Sequence, residues 1–141
     1  MARFATKIQK LEDRTSGEHR DCTVHALAFA TGMKYVDAHS VLAAAGRETG
    51  KGFLTSIVMQ RLSVLTKGQW FAAPAQGWSA GHTTVNQFCR LHPTGSYVLR
   101  IKGHAFAVVN GRAVDTHARV ARERVQGAWE VYPALLACKA G

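Results

Sequence analysis

A cysteine, a histidine and an aspartate in this chain, Cys22, His104 and Asp115, are of the types that together perform nucleophilic chemistry. Cys22 stands in Arg20-Asp21-Cys22-Thr23-Val24-His25-Ala26-Leu27-Ala28-Phe29-Ala30-Thr31-Gly32, a stretch that reads as a helix starting on the cysteine. Val24, Leu27, Ala28 and Thr31 fall on one face at helical spacing, Asp21 has the type of a good N-cap, and Gly32 suits the left-handed residue that closes a helix. A thiol in the first turn meets unpaired N–H groups and the positive end of the macrodipole. Both favour thiolate, and with a histidine nearby such thiols titrate at roughly 3.5 to 7.5. The competing reading is a small buried hydrophobe, the usual fate of a free cysteine.

The elements that must position these residues are helical in the first half and stranded in the second. Tyr35, Ala38, Val41, Leu42 and Ala45 are spaced for a second amphipathic helix closed by Gly46. Leu54, Ile57, Val58, Leu62 and Leu65 predict a third helix running to Thr66. Between Gln69 and Gly81 the chain is irregular, with a short strand at Trp70-Phe71. Thr84 with Gln87 fits a capping box that starts a short helix through Val85, Phe88 and Leu91, stopped before Pro93. Ser96 to Ile101, a turn at Lys102-Gly103 and His104 to Val109 then read as paired strands. Asn110-Gly111 is the strongest hairpin signal in the chain, and Arg112 to Thr116 is the returning strand. Arg119 to Val125 and Trp129 to Tyr132 read as shorter strands around a turn at Gln126-Gly127. The fold class is α+β, a single domain over residues 1–141 with helices packed on an antiparallel sheet of about three to five strands.

A two-residue turn at Asn110-Gly111 pairs Val109 with Arg112, Val108 with Ala113, Phe106 with Asp115 and His104 with His117. His104, Phe106, Val108, Ala113, Asp115 and His117 then share one face. His104 and Asp115 become diagonal neighbours roughly 7–8 Å apart, within reach of long side chains. A histidine oriented by a carboxylate and facing a helix-terminal cysteine makes a thiolate nucleophile. Taken singly, His104 is also an ordinary strand-end histidine and Asp115 an ordinary cap.

Composition bounds the rest. At 141 residues the chain can bury roughly two thirds of its unfolded surface in one core. Three cysteines, Cys22, Cys89 and Cys138, give an odd number without framework spacing, so a reducing compartment is expected rather than a disulfide scaffold. No apolar h-region opens the sequence and no apolar run reaches membrane-span length, so neither an ordinary secretory signal nor a membrane is expected. The net charge of +9 favours an acidic partner. Because no aromatic residues interleave with the basic ones, nucleic acid is not expected as the main ligand. A metal site built on His19, Cys22 and His25, with Asp115 and His117, is the chemical rival. It lacks the second paired set of ligands that a structural zinc site wants, so no metal or cofactor is expected.

Asp21-Cys22 at a helix start, the strand Gly103-His104-Ala105-Phe106-Ala107-Val108-Val109 and Val114-Asp115 on the next strand resemble the papain-like cysteine peptidases. The likeness is greatest to the short bacterial branch that removes double-glycine leaders from bacteriocins. Short peptidase-like proteins of phage genomes are similar as well, in Gly32, Tyr35, the Lys51-Gly52 turn and the histidine hairpin. The resemblance spans about residues 21 to 115. It implies a minimal papain-like fold, N-terminal helices on a C-terminal antiparallel sheet, with Cys22 as nucleophile, His104 as general base and acid, and Asp115 as orienter of the imidazole. In that family a glutamine about six residues before the cysteine supports the oxyanion beside the cysteine N–H. Here position 16 is Ser16, and no glutamine follows Gln9 before Cys22. That departure implies a weaker oxyanion hole, a substitute donor such as Ser16 or His19 beside the Cys22 N–H, or a lost activity. The implied reaction is thiol-dependent hydrolysis of a peptide, isopeptide or amide bond in a protein or peptide, in a bacterial or host cytoplasm or on a virion. The alternative is a non-catalytic phage-encoded interaction or virion structural protein that keeps the fold and joins an acidic partner or a virion assembly.

Overall fold

Helix α1 (Cys22–Thr31) is the element on which the described chain is built. The computed structural model describes residues 21–48, 55–114 and 121–134. α1 is followed by α2 (Tyr35–Ala44), α3 (Thr55–Gln60), α4 (Leu62–Leu65) and strand β1 (Trp70–Pro74). Then come α5 (Val85–Leu91), β2 (Ser96–Ile101), β3 (His104–Val109), β4 (Arg112–Val114) and β5 (Gly127–Pro133). Thr23, Val24, His25, Ala26, Leu27 and Ala30 of α1 are all buried, because sheet and helices cover it on most sides. Its C-terminus closes as its sequence suggests, with Gly32 left-handed and its N–H donating to the Ala28 carbonyl at 2.8 Å.

The five strands form one antiparallel sheet in the order β1-β5-β2-β3-β4. The fold is α+β, as the periodicities imply. The hairpin register is also the expected one: Val109 pairs with Arg112 and Val108 with Ala113. Asn110 and Gly111 both take positive φ, which a two-residue turn matched to the strand twist requires. The pairings that continue to Asp115 and His117 lie outside the described residues.

The sheet separates two apolar cores. On one face Val98, Ala105, Ala107, Val114 and Val131 pack with Val24, Leu27, Tyr35, Leu42, Val58 and Leu62 of the α1–α4 layer. On the other, Leu99, Ile101, Phe106, Val108 and Ala113 pack with Val85 and Phe88 of α5 and with Val125. Thr84 and Gln87 make both bonds of the capping box, at 2.9 and 3.2 Å. No helix among the described residues is long and apolar enough to cross a membrane.

Three expectations are corrected. The third helix is broken at Arg61 (φ −115°, ψ 12°), so α3 and α4 bury Val58 and Leu62 from separate short pieces. Residues 121–126 form no strand: one isolated bridge joins Arg124 to Thr84, and Gly127 belongs to β5 rather than to a turn. The sheet is not purely C-terminal, because the half-buried strand β1 pairs along its whole length with β5, Trp70 with Pro133 through Pro74 with Trp129. Pro74, which has no N–H to give, stands at the end of that edge strand.

Candidate active site

Cys22 opens α1, and His104 opens β3 directly after the Lys102-Gly103 turn. Alternation places Phe106 and Val108 on the face away from α1, and the His104 ring stacks over Phe106 with centroids 5.9 Å apart. As the first residue of the strand, His104 still reaches round to the α1 side, where its imidazole hydrogen-bonds the Cys22 sulfur. The backbone N–H of Ala105 and the Thr23 hydroxyl donate to the same sulfur. Burial is the largest single influence on the thiol and pushes it up. The hydrogen bond from His104, that from Ala105, the positive charge of His104 and the Thr23 hydroxyl together outweigh it, so the thiol lies below its ordinary value.

The other described cysteine behaves in the opposite way. Cys89, on α5 in the far core and 4% exposed, is pushed up to about 11 by burial. The two thiols differ because hydrogen-bond donors and the His104 charge outweigh burial at Cys22, whereas burial prevails at Cys89.

Asp21 does not cap α1. Its backbone (φ −109°, ψ 23°) is outside the extended region usual for an N-cap, and its side chain makes no cap hydrogen bond. The carboxylate turns inward, where the Tyr35 hydroxyl of α2 donates to Oδ2 at 2.9 Å. Nε2 of His25 lies 3.0 Å from the same oxygen. Neither ring nitrogen of His25 has a well-directed hydrogen bond among the described residues, so this is a close contact rather than a directed bond. Asp21, His25 and Tyr35 are 3%, 6% and 3% exposed, which makes this a buried polar cluster next to Cys22. His25 is thus an interior residue and not the surface one that its spacing also allowed. No group of three His, Cys, Asp or Glu side chains able to hold a metal ion occurs among the described residues.

The structure therefore brings together Cys22 and His104. Asp115, Ser16 and His19 lie outside the described residues. Sequence reasoning missed Thr23, Ala105 and the Asp21–Tyr35 bond. The first is adjacent to Cys22 and could have been noticed, the second acts through its backbone, and the third depends on how α2 packs.

Comparison with known proteins finds no matching family model, no matching curated protein and no matching solved structure.

Proposed function

We propose that this chain is a thiol hydrolase of papain-like type that cleaves a peptide, isopeptide or amide bond. The observation that carries the reading is the Cys22 sulfur at the start of α1, hydrogen-bonded by the His104 imidazole and the Ala105 N–H. In this reaction the thiolate attacks the carbonyl carbon and the carbonyl electrons move to oxygen. The resulting oxyanion is held by the Cys22 N–H and a second donor, for which Ser16 and His19 remain the proposals. Collapse restores the carbonyl and breaks the C–N bond, while the His104 imidazolium gives its proton to the leaving amine. Water then attacks the thioester, His104 takes its proton, and Cys22 leaves as thiolate, which restores the ion pair. Asp115 is proposed to orient the imidazole. Exposed Arg122 and Arg124, with Arg119, are proposed to meet an acidic protein partner.

Iodoacetamide labelling of Cys22 across pH, followed by peptide mass spectrometry, tests the reading. A lowered thiol carries thiolate at lower pH, so the wild-type labelling rate should rise below the ordinary thiol range of about 8.5. His104→Ala removes two of the influences that lower the thiol and leaves burial in place, so its profile should move up. Identical profiles in the two proteins would remove the ion pair and the hydrolase with it.

The second reading, a non-catalytic interaction or virion protein with a peptidase-like fold, is favoured by Ser16 in place of the glutamine. It predicts a labelled thiol but no turnover of any peptide amide by wild type above that of Cys22→Ala.

A further inference from the structure

On the face of the sheet that α1 packs against, one strand away from the thiol's contact at Ala105, stands a cation that the proposed chemistry does not use. Arg100 of β2 is directly opposite Ala105, the residue whose N–H contacts the Cys22 sulfur. Directly opposite residues in an antiparallel pair have Cβ atoms about 4.5–5.5 Å apart, so Arg100 rises next to the nucleophile's own contact. Its parity matches Val98, which packs under α1, and its other neighbour is Gly127 of β5. α1 does not cover it: Arg100 is exposed between buried Leu99 and Ile101.

Gly127 shapes the ground beside it. A Cβ there would meet the Trp129 ring at 2.7 and 3.1 Å and Nε of Arg100 at 3.4 Å. Glycine thus lets the indole lie down on β5 with the guanidinium against the same spot. The result is a shallow platform with an aromatic side and a planar cation, lying over β2 and β5 one strand away from the Ala105 N–H that meets the thiol. No ion pair joins Arg100 to a carboxylate among the described residues, and Glu130 has the opposite parity on β5. A guanidinium with its fork open to solvent is suited to a carboxylate, which it can bind with two parallel hydrogen bonds.

The geometry points to Arg100 as a specificity residue that selects substrates bearing a carboxylate close to the bond that Cys22 attacks. This inference rests on Cys22 being the nucleophile, and it names the substrate class as acidic. The source of the carboxylate is either an acidic side chain or a chain terminus, and Arg100 recognises both by the same contact.

Two alkylating agents of nearly equal size, iodoacetate and iodoacetamide, test it without a known substrate. Both place a carbon on the Cys22 sulfur with loss of iodide, and only the first carries a carboxylate. Relative to Cys22 in the Arg100→Gln protein, the iodoacetate-to-iodoacetamide rate ratio in wild type should be higher by about threefold to tenfold at low salt. It should fall as salt is added. Arg100→Lys should keep most of the preference, and Arg100→Glu should reverse it. Equal ratios in wild type and Arg100→Gln, with thermal midpoints unchanged, would overturn the inference. N-acetyl-aspartyl and N-acetyl-asparaginyl chloromethyl ketones then assign the source. A preference for the aspartyl probe that disappears in Arg100→Gln means a side chain, and a preference confined to iodoacetate means a terminus. His104→Ala separates the two levels of the argument. If that change leaves both reagents' rates as in wild type, the hydrolase reading fails. If it alters them while the ratio ignores Arg100, only the acidic specificity fails.

Discussion

At the scale of residues, the thiolate proposed for Cys22 depends on keeping the buried carboxylate next to it turned away. A negative charge beside a thiol disfavours thiolate, and Asp21 is the immediate neighbour of Cys22. The Tyr35 hydroxyl and His25 hold its oxygen on the far side, away from the first-turn N–H groups that an aspartate in this position would ordinarily cap. Tyr35→Phe keeps the ring and removes only that donor. With that donor gone, the carboxylate is expected to shift toward the first turn and compete with the thiolate for the same positive field. Cys22 labelling should move to higher pH, and its rate at neutral pH should drop by about threefold to tenfold. Tyr35→Phe with Asp21→Asn should return to the wild-type profile, because no charge remains to be misplaced. A role in packing alone would lower the thermal midpoint in Tyr35→Phe and leave the labelling profile untouched. Cys89 is the internal control, since a buried thiol pushed up to about 11 should label only when the protein unfolds.

At the scale of elements, the hairpins carry the site, and the tightest constraint on them is at Gly111. Its φ is +75°, and a Cβ there would lie 3.2 Å from the Cys89 carbonyl oxygen and 3.3 Å from Cα of Pro93. Both obstacles are backbone and cannot turn aside. Gly111→Ala should cost the left-handed penalty of about 1–2 kcal/mol with a contact penalty added, read as a lower urea midpoint at unchanged slope. A loss below about 0.5 kcal/mol would mean the turn relaxes into another type. This turn was legible in the sequence because Asn110-Gly111 states a purely local preference. The capping box of α5 and the end of α1 were legible for the same reason. β1 was only partly so, since Trp70 to Pro74 is held by β5 from the far end of the chain, and pairing of that kind leaves no local mark. The break at Arg61 and the inward turn of Asp21 were hidden likewise, because they are set by what packs against them. Within the site, Cys22 and His104 could be found from residue type and element. Ala105 could not, since a backbone N–H has no sequence signature.

At the scale of the whole molecule, the sheet divides labour between two cores. The first holds α1 against β3 and so fixes Cys22 against His104 and Ala105; the second fastens α5 and Val125 to the back of the sheet. Substitutions in the two cores should therefore be comparable in stability and different in chemistry. Phe88 is fully buried in the second core, stacked on His92 at 3.9 Å and edge-on to Tyr97 at 5.3 Å. Phe88→Ala should cost about 3–5 kcal/mol, a large part of the roughly 5–15 kcal/mol that a domain commonly has. Leu27, fully buried on α1, should cost about 2–5 kcal/mol as Leu27→Ala. The second change leaves a cavity under the helix that carries Cys22, whereas the first leaves one behind a sheet whose near face is still packed. With both variants folded, at a temperature well below either transition, Leu27→Ala should shift the pH profile of Cys22 labelling upward as the sulfur loses its fixed approach to His104 and Ala105. Phe88→Ala should keep the wild-type profile until Cys89 begins to label, which marks unfolding. Equal shifts in the two variants at matched stability would mean that the sheet transmits strain between its faces and that the back core also bears on the Cys22 thiol.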